Sequence, residues 1–179
     1  MRVIAGLAKG RRLAGPPSRA TRPTSDLVRG AIFSALESMG ADLARVLDLY
    51  AGSGALGIEA LSRGAAWCDF VEKDARACAA IRQNLSKTGF EEQASVHCLA
   101  VERAAGRLDG PYTLVLADPP YAQGAASALD ALAGAGLVEP ERTVLALEHS
   151  SREEAPERLA GLRHTKTLRH GDSAVSIYA

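Results

Sequence analysis

Asp48-Leu49-Tyr50-Ala51-Gly52-Ser53-Gly54-Ala55-Leu56-Gly57 stands between a short apolar run, Val46–Tyr50, and an apolar stretch of helical spacing, Leu56–Leu61. A glycine-rich turn gains meaning in this strand-to-helix context, which predicts a ligand-binding α/β unit. Gly52 and Gly54 allow the chain to reverse and approach a ligand without Cβ collisions. Gly57 allows the following helix to lie close to the sheet. Asp48 sits at the carboxyl end of its strand, where open α/β sheets bind ligands.

Outward from this turn, strand and helix alternate. Trp67–Val71 reads as the next strand, ending in Glu72, and Ala75–Thr88 as a helix with Cys78, Ile81 and Leu85 on one side, closed by Gly89. Ser95–Leu99 and the nearly all-apolar Tyr112–Ala117 follow as strands, the latter as a central parallel strand covered on both faces. A helix over Ala125–Ala133, a strand over Thr143–Leu147 and a helix around Glu153–Leu159 are expected next. Leu162–Leu168, the Gly171-Asp172 turn and Ala174–Tyr178 read as an antiparallel pair at the sheet edge. Upstream, Arg2–Leu7 and Lys9–Leu13 predict a hairpin, and Thr24, Ser25 or Asp26 caps a helix whose apolar face carries Val28, Ile32, Ala35 and Met39. The fold expected is therefore α/β: a doubly wound, mostly parallel sheet with an antiparallel C-terminal edge, preceded by a basic hairpin and one helix. The organisation reads as an N-terminal extension, 1–40, and a main domain, 41–179.

Bulk properties narrow the class. The chain has 179 residues, 47% of them apolar. None of its apolar runs approaches the roughly 20 residues of a bilayer span, and the start lacks a signal-like apolar core, so a cytoplasmic protein is expected. Cys68, Cys78 and Cys98 form no CxxC or Cys-His pattern, and the four histidines show no ligand spacing, so no metal or disulfide framework is expected. Lys+Arg and Asp+Glu both total 21, yet Arg2, Lys9, Arg11, Arg12, Arg19, Arg22 and Arg29 face only Asp26 before residue 30. A basic end on a neutral chain can grip a phosphate backbone locally.

Two acids and one tetrapeptide direct the chemistry. Asp48 places negative charge where a pyrophosphate would be repelled, and the same charge suits a cation such as S-adenosylmethionine, with its ammonium and sulfonium. The turn Ala51-Gly52-Ser53-Gly54 would lie beneath that ligand. Glu72, twenty residues beyond Gly52, stands where a carboxylate accepts from both ribose hydroxyls. Asp118-Pro119-Pro120-Tyr121 closes the central strand as a stiff, extended segment. Its Asp118 carboxylate and Pro119 carbonyl can each accept one hydrogen of an aromatic amine, and Tyr121 adds a ring face. Such a grip aims the nitrogen lone pair and stabilises the positive charge that develops on it.

These blocks resemble class I methyltransferases, and nearly the full chain is similar to the bacterial 16S rRNA guanine-N2 methyltransferase family acting on guanine 966. The resemblance runs through Arg2–Gly6, Lys9–Leu13, Arg22–Arg29, Asp48–Gly57, Asp118–Tyr121 and the Gly171-Asp172-Ser173 turn. It implies a Rossmann-like fold and contacts to S-adenosylmethionine from Asp48, Gly52, Gly54 and Glu72. It also implies a guanine held by Asp118 and Tyr121, and an rRNA surface that includes Lys9, Arg11 and Arg12. Arg22 is a further RNA candidate. The implied substrate is 16S rRNA in the small (30S) subunit or an assembly intermediate; separately, a monomer is expected. Many class I enzymes carry an Asp or Asn after the third strand, near the adenine amino group, where this chain reads Cys98-Leu99-Ala100; a backbone N–H there, or Glu102, could substitute. Rival readings are DNA adenine-N6 methylation, protein-glutamine methylation and an RNA-binding module without catalysis.

Among the remaining residues, Arg29 reads either as an RNA or cofactor-closing contact or as a solubilising charge. Asn84 and Trp67 read as structural, and Glu148-His149 as a polar strand end.

Overall fold

A computed structural model of the chain describes residues 1–15, 25–120 and 122–179. Among these are strands β1 (Arg45–Leu49), β2 (Trp67–Glu72), β3 (Ala94–Cys98), β4 (Leu114–Ala117), β5 (Val144–Ser150), β6 (Arg158–Leu159), β7 (Leu162–His170) and β8 (Ser173–Tyr178). The α-helices are α1 (Asp26–Ser38), α2 (Ala55–Ser62), α3 (Ala75–Thr88) and α4 (Ala122–Gly134). The strands form one sheet in the order β3-β2-β1-β4-β5-β8-β7-β6. The first five of these strands pair in parallel, and β8 and β7 then join antiparallel, giving the mixed edge expected.

Side-chain alternation divides the apolar core into two layers. Val46, Leu114, Leu116 and Ala146 join α1, α2 and α3 on one face. Leu47, Leu49, Val115, Leu145 and Leu147 join α4 and the 3₁₀ helix Val101–Gly106 on the other. Both faces of the central strands are thus covered, which is why they read as unbroken apolar runs.

Local chemistry accounts for the helix ends. Ser25 caps α1, its side chain accepting from the Val28 N–H. Asp74 caps α3 through the N–H groups of Arg76 and Ala77, and its carboxyl is held below the ordinary value by those bonds, that of Ala77 foremost.

The N-terminal reversal lies along α2. It is a hairpin with a single antiparallel bridge, Arg2 to Arg12, rather than a ladder of paired strands. Its turn spends its N–H groups on α2: Ile4 and Ala5 donate to the two Glu59 carboxylate oxygens, and Leu7 and Ala8 to the Ser62 carbonyl and hydroxyl. Val3, Ala8 and Leu13 enter the same apolar layer as α1 and α2.

One expected element is absent. The segment around Glu153–Leu159 is not a helix; Arg158 and Leu159 form β6, paired with Arg163 and Leu162 of β7. Leu159 and Leu162 are buried against the α4 layer, and that burial outweighs the weak local helical preference of a stretch interrupted by Pro156.

Candidate active site

The carboxyl edge of β1, β2 and β4 gathers the predicted acids. Asp48 is 1% exposed. Its Oδ2 accepts the Gly57 N–H at 2.9 Å, satisfying a first-turn donor of α2 that Gly54, the N-cap residue, cannot reach with a side chain. Burial drives its carboxyl well above the ordinary aspartate value; the Gly57 N–H opposes this, and the charges of Asp118 and Glu72 add to it. The carboxylates of Glu72 and Asp118 therefore both act on buried Asp48 at this edge, an arrangement that repels anions and is relieved by a cation.

The turn between β1 and α2 is left-handed at three points: Tyr50 (φ 56), Gly52 (φ 56) and Gly54 (φ 76). Tyr50 is the informative one, because a side chain rarely adopts this backbone and such strain concentrates at ligand sites. Its hydroxyl is pushed upward, chiefly by burial and further by Glu102. Neither property was legible in a residue that reads as the end of a strand. Glu72 holds the turn from the neighbouring strand, Oε2 accepting from the Gly52 N–H and Oε1 from the Asp74 N–H, both at 2.9 Å. Each oxygen retains acceptor capacity for a ribose hydroxyl.

Asn84 of α3 completes the support. Its amide donates to the Ser53 carbonyl at 2.9 Å and the Ala14 carbonyl at 3.1 Å, while its Oδ1 accepts from the Ala14 N–H. The structural reading of Asn84 thus becomes specific: it fastens the N-terminal segment to the glycine turn. Gly57 contributes close packing, since a Cβ there would come within 2.3 Å of Phe70 and 2.7 Å of Cys68.

Asp118 follows directly on the Leu49–Ala117 register pair, which places the start of the tetrapeptide beside the glycine turn. Asp118 is half-buried, Pro119 buried and Pro120 exposed. Tyr121 and Arg22 lie outside the described residues.

The basic residues divide by role. Lys9, Arg11 and Arg12 are exposed on the N-terminal reversal. The turn is pinned at Ser62, the last residue of α2, roughly 12 Å of helix from the Gly54 end. Arg29, by contrast, is fully buried, and it is neither an RNA contact nor a solubilising charge. Its guanidinium donates to the Arg2 carbonyl at 2.6 Å and to Asp26 at 2.9 Å, tying α1 to the chain start. His149 is also structural, its Nε2 lying 2.8 Å from the Ser176 hydroxyl.

A further buried carboxylate, Asp69 of β2, was not singled out by sequence. It accepts from the Tyr112 hydroxyl at 2.9 Å and the Trp67 indole at 3.0 Å, and His97 Nε2 lies 2.8 Å away. Burial alone would raise its carboxyl, but the bonds from His97, Tyr112 and Trp67 outweigh this and hold it below the ordinary value. No spacing signal links residues so far apart in the chain.

Comparison with known proteins agrees with this geometry. A protein of Bacillus subtilis (strain 168) named as an rRNA methyltransferase is 37% identical over 99% of this chain and 98% of its own length. Ribosomal RNA small subunit methyltransferase D of Escherichia coli (strain K12) is 37% identical over 69% of this chain and 62% of its own length. A solved Escherichia coli structure named as a methyltransferase superposes with a TM-score of 0.85 at 29% identity, covering 99% of this chain and 96% of that one. An RNA methyltransferase from Salinibacter ruber, solved with S-adenosyl-L-homocysteine, shares the fold at a TM-score of 0.63 and 18% identity, over 88% of this chain and 92% of that one. The model of the family described as Conserved hypothetical protein 95 matches residues 1–179, and this chain belongs to that family.

Proposed function

We propose that this protein transfers a methyl group from S-adenosylmethionine to the exocyclic N2 of a guanine in 16S rRNA, guanine 966 by family resemblance. Its coarser form, an S-adenosylmethionine-dependent rRNA methyltransferase, draws support from family membership and from the rRNA methyltransferase names of the relatives. The observation that carries the reading is the Asp118-Pro119-Pro120 segment, which leaves β4 beside a glycine turn flanked by two further carboxylates.

The residues present fit the methyl donor, because the buried Asp48, with the half-buried Glu72 and Asp118 acting on it, favours a cation at this edge. Asp48 and the Ala51–Gly54 turn would hold the amino acid portion, and Glu72 the ribose. The bound donor supplies an electrophilic sulfonium methyl. Asp118 and the Pro119 carbonyl accept the two amino hydrogens of guanine, aim its lone pair and stabilise the charge growing on nitrogen. The surplus proton leaves to Asp118 or to water. Tyr121 stacks on the base.

The extension, 1–40, presents Lys9, Arg11 and Arg12 to rRNA, with Arg22 as a further contact, while the domain 41–179 performs the transfer. The substrate is the small subunit or an assembly intermediate, encountered in the cytoplasm by a monomer. No helix among the described residues is long and apolar enough to cross a membrane.

The test is transfer of labelled methyl to unmodified 30S particles, naked 16S rRNA and duplex DNA in parallel. N2-methylguanine arising chiefly in the particles is expected. Label in adenine, or none in any rRNA, overturns the assignment.

A further inference from the structure

Beside β3, at the end of the sheet away from the antiparallel edge, the surface opens into a cleft of about 420 Å³ lined by His97, Cys98, Leu99, Arg103 and Arg107. Arg103 and Arg107 are exposed, and among the described residues neither side chain has an ion-pair or hydrogen-bond partner. Other arginines are committed: Arg63 is clamped between Glu37 and Glu59, and Arg29 is buried on Asp26. Two uncommitted guanidiniums four residues apart, on the rim of one cleft, constitute a concentration of positive charge with donors to spare.

The cleft has a fixed wall. His97 is anchored through Nε2 to Asp69, which is held in turn by Tyr112 and Trp67, with the Arg45 guanidinium at 3.8 Å. The ring is therefore set in place before any ligand arrives. Leu99 adds an apolar surface; of the acids nearest in sequence, Glu102, beside Arg103, acts on Tyr50, and Asp109, two residues past Arg107, is exposed and makes no ion pair with it among the described residues. Free cations beside a fixed ring in one cleft match the phosphates of a nucleotide chain, held by the two guanidiniums.

The cleft is also placed to share a strand of RNA with the methylation site. Cys98 is the register partner of Glu72, so the cleft lies one strand beyond the ribose carboxylate. The order β3-β2-β1-β4 puts it three strand spacings, about 14 Å, from the edge that carries Asp118. A few nucleotides of single-stranded RNA cover that span.

We propose that this cleft is a subsite for the backbone of the substrate RNA, in which Arg103 and Arg107 hold phosphates flanking the nucleotide presented to Asp118. The inference rests on the rRNA reading above and adds a second contact surface, distinct from the N-terminal turn. Such contacts set register and orientation without reading sequence.

Binding of a 16S rRNA transcript by R103A/R107A, measured by filter retention over a range of salt, tests it. Each lost phosphate contact should flatten the slope of log affinity against log salt by about 0.7, so about 1.4 for two. R103K/R107K should keep most of the slope, and R142A/R163A, which removes two exposed arginines elsewhere, should behave as wild type. An unchanged slope in R103A/R107A, an equal loss in R142A/R163A, or a loss of S-adenosylmethionine affinity in R103A/R107A each overturns the subsite. Failure of the wild-type protein to methylate rRNA would overturn the reaction assignment alone, because the binding comparison does not depend on turnover.

Discussion

One carboxylate oxygen of Asp48 accepts the Gly57 N–H at 2.9 Å, joining the end of β1 to the first turn of α2 across the glycine turn. The buried acid at the carboxyl end of β1 therefore also caps the helix. Burial, with Asp118 and Glu72, makes its ionised form unfavourable.

A pH dependence follows from that burden. An acid whose pKa is raised on folding favours the folded chain while protonated. That contribution is full below the unfolded value of about 3.9 and is lost as pH rises through the raised folded value. Asp48→Asn can still accept the Gly57 N–H but carries no charge. The unfolding free energy of D48N relative to wild type, measured by chemical denaturation, should rise from pH 4 to pH 8, because only the wild type must ionise a buried carboxyl over that range. A difference independent of pH would contradict this. S-adenosylmethionine affinity of the wild type should strengthen as Asp48 ionises, and D48N should lose that dependence.

Gly57→Ala tests the packing of α2 on the sheet. Its Cβ would fall within 2.3 Å of the Phe70 ring, so α2 must move outward. Chemical denaturation should show a loss of about 1–3 kcal/mol, with weakened cofactor affinity because the glycine turn moves with its helix. Wild-type stability would mean that the Phe70 ring yields without cost.

Glu59 is fully buried, accepting from Ile4 and Ala5 and from the Arg63 guanidinium. Glu59→Ala leaves Arg63 with Glu37 alone and strands the Ile4 and Ala5 N–H groups, and should cost about 2–6 kcal/mol. Amide exchange at Ile4 and Ala5 should accelerate before that at β1 or β4. Uniform acceleration would show that the N-terminal reversal is not separately anchored by this residue.

Asp118→Ala should lower kcat by about 10²- to 10³-fold while leaving S-adenosylmethionine affinity near the wild-type value. Titration calorimetry and single-turnover transfer to 30S particles separate the two effects. Loss of cofactor binding with intact turnover at saturation would reverse the role assigned to this residue.

Replacing Lys9, Arg11 and Arg12 together by alanine should weaken rRNA binding and flatten its salt slope by up to about 2, with kcat at saturating substrate preserved. The reason is position: the turn is held at the far end of α2 from the glycine turn. A kcat defect would place these cations closer to the chemistry than their anchoring allows.

What the amino-acid order determined by itself is whatever depends on near neighbours in the chain. The alternation of strand and helix, the Ser25 and Asp74 caps, the glycine turn and the antiparallel tail all follow from periodicity, capping and turn chemistry within a few residues. The three acids were also legible, because each ends a recognisable strand. Tertiary structure alone decided the rest. Whether Arg29 meets solvent depends on where the chain start folds back. Whether Arg158 and Leu159 coil or extend depends on β7 already being at the edge. The Asp69 cluster draws on residues 45, 67, 97 and 112, and the cleft beside β3 on a strand and the 3₁₀ helix that follows it. Burial and long-range hydrogen bonding carry no local spacing, so these features exist only once the sheet has assembled.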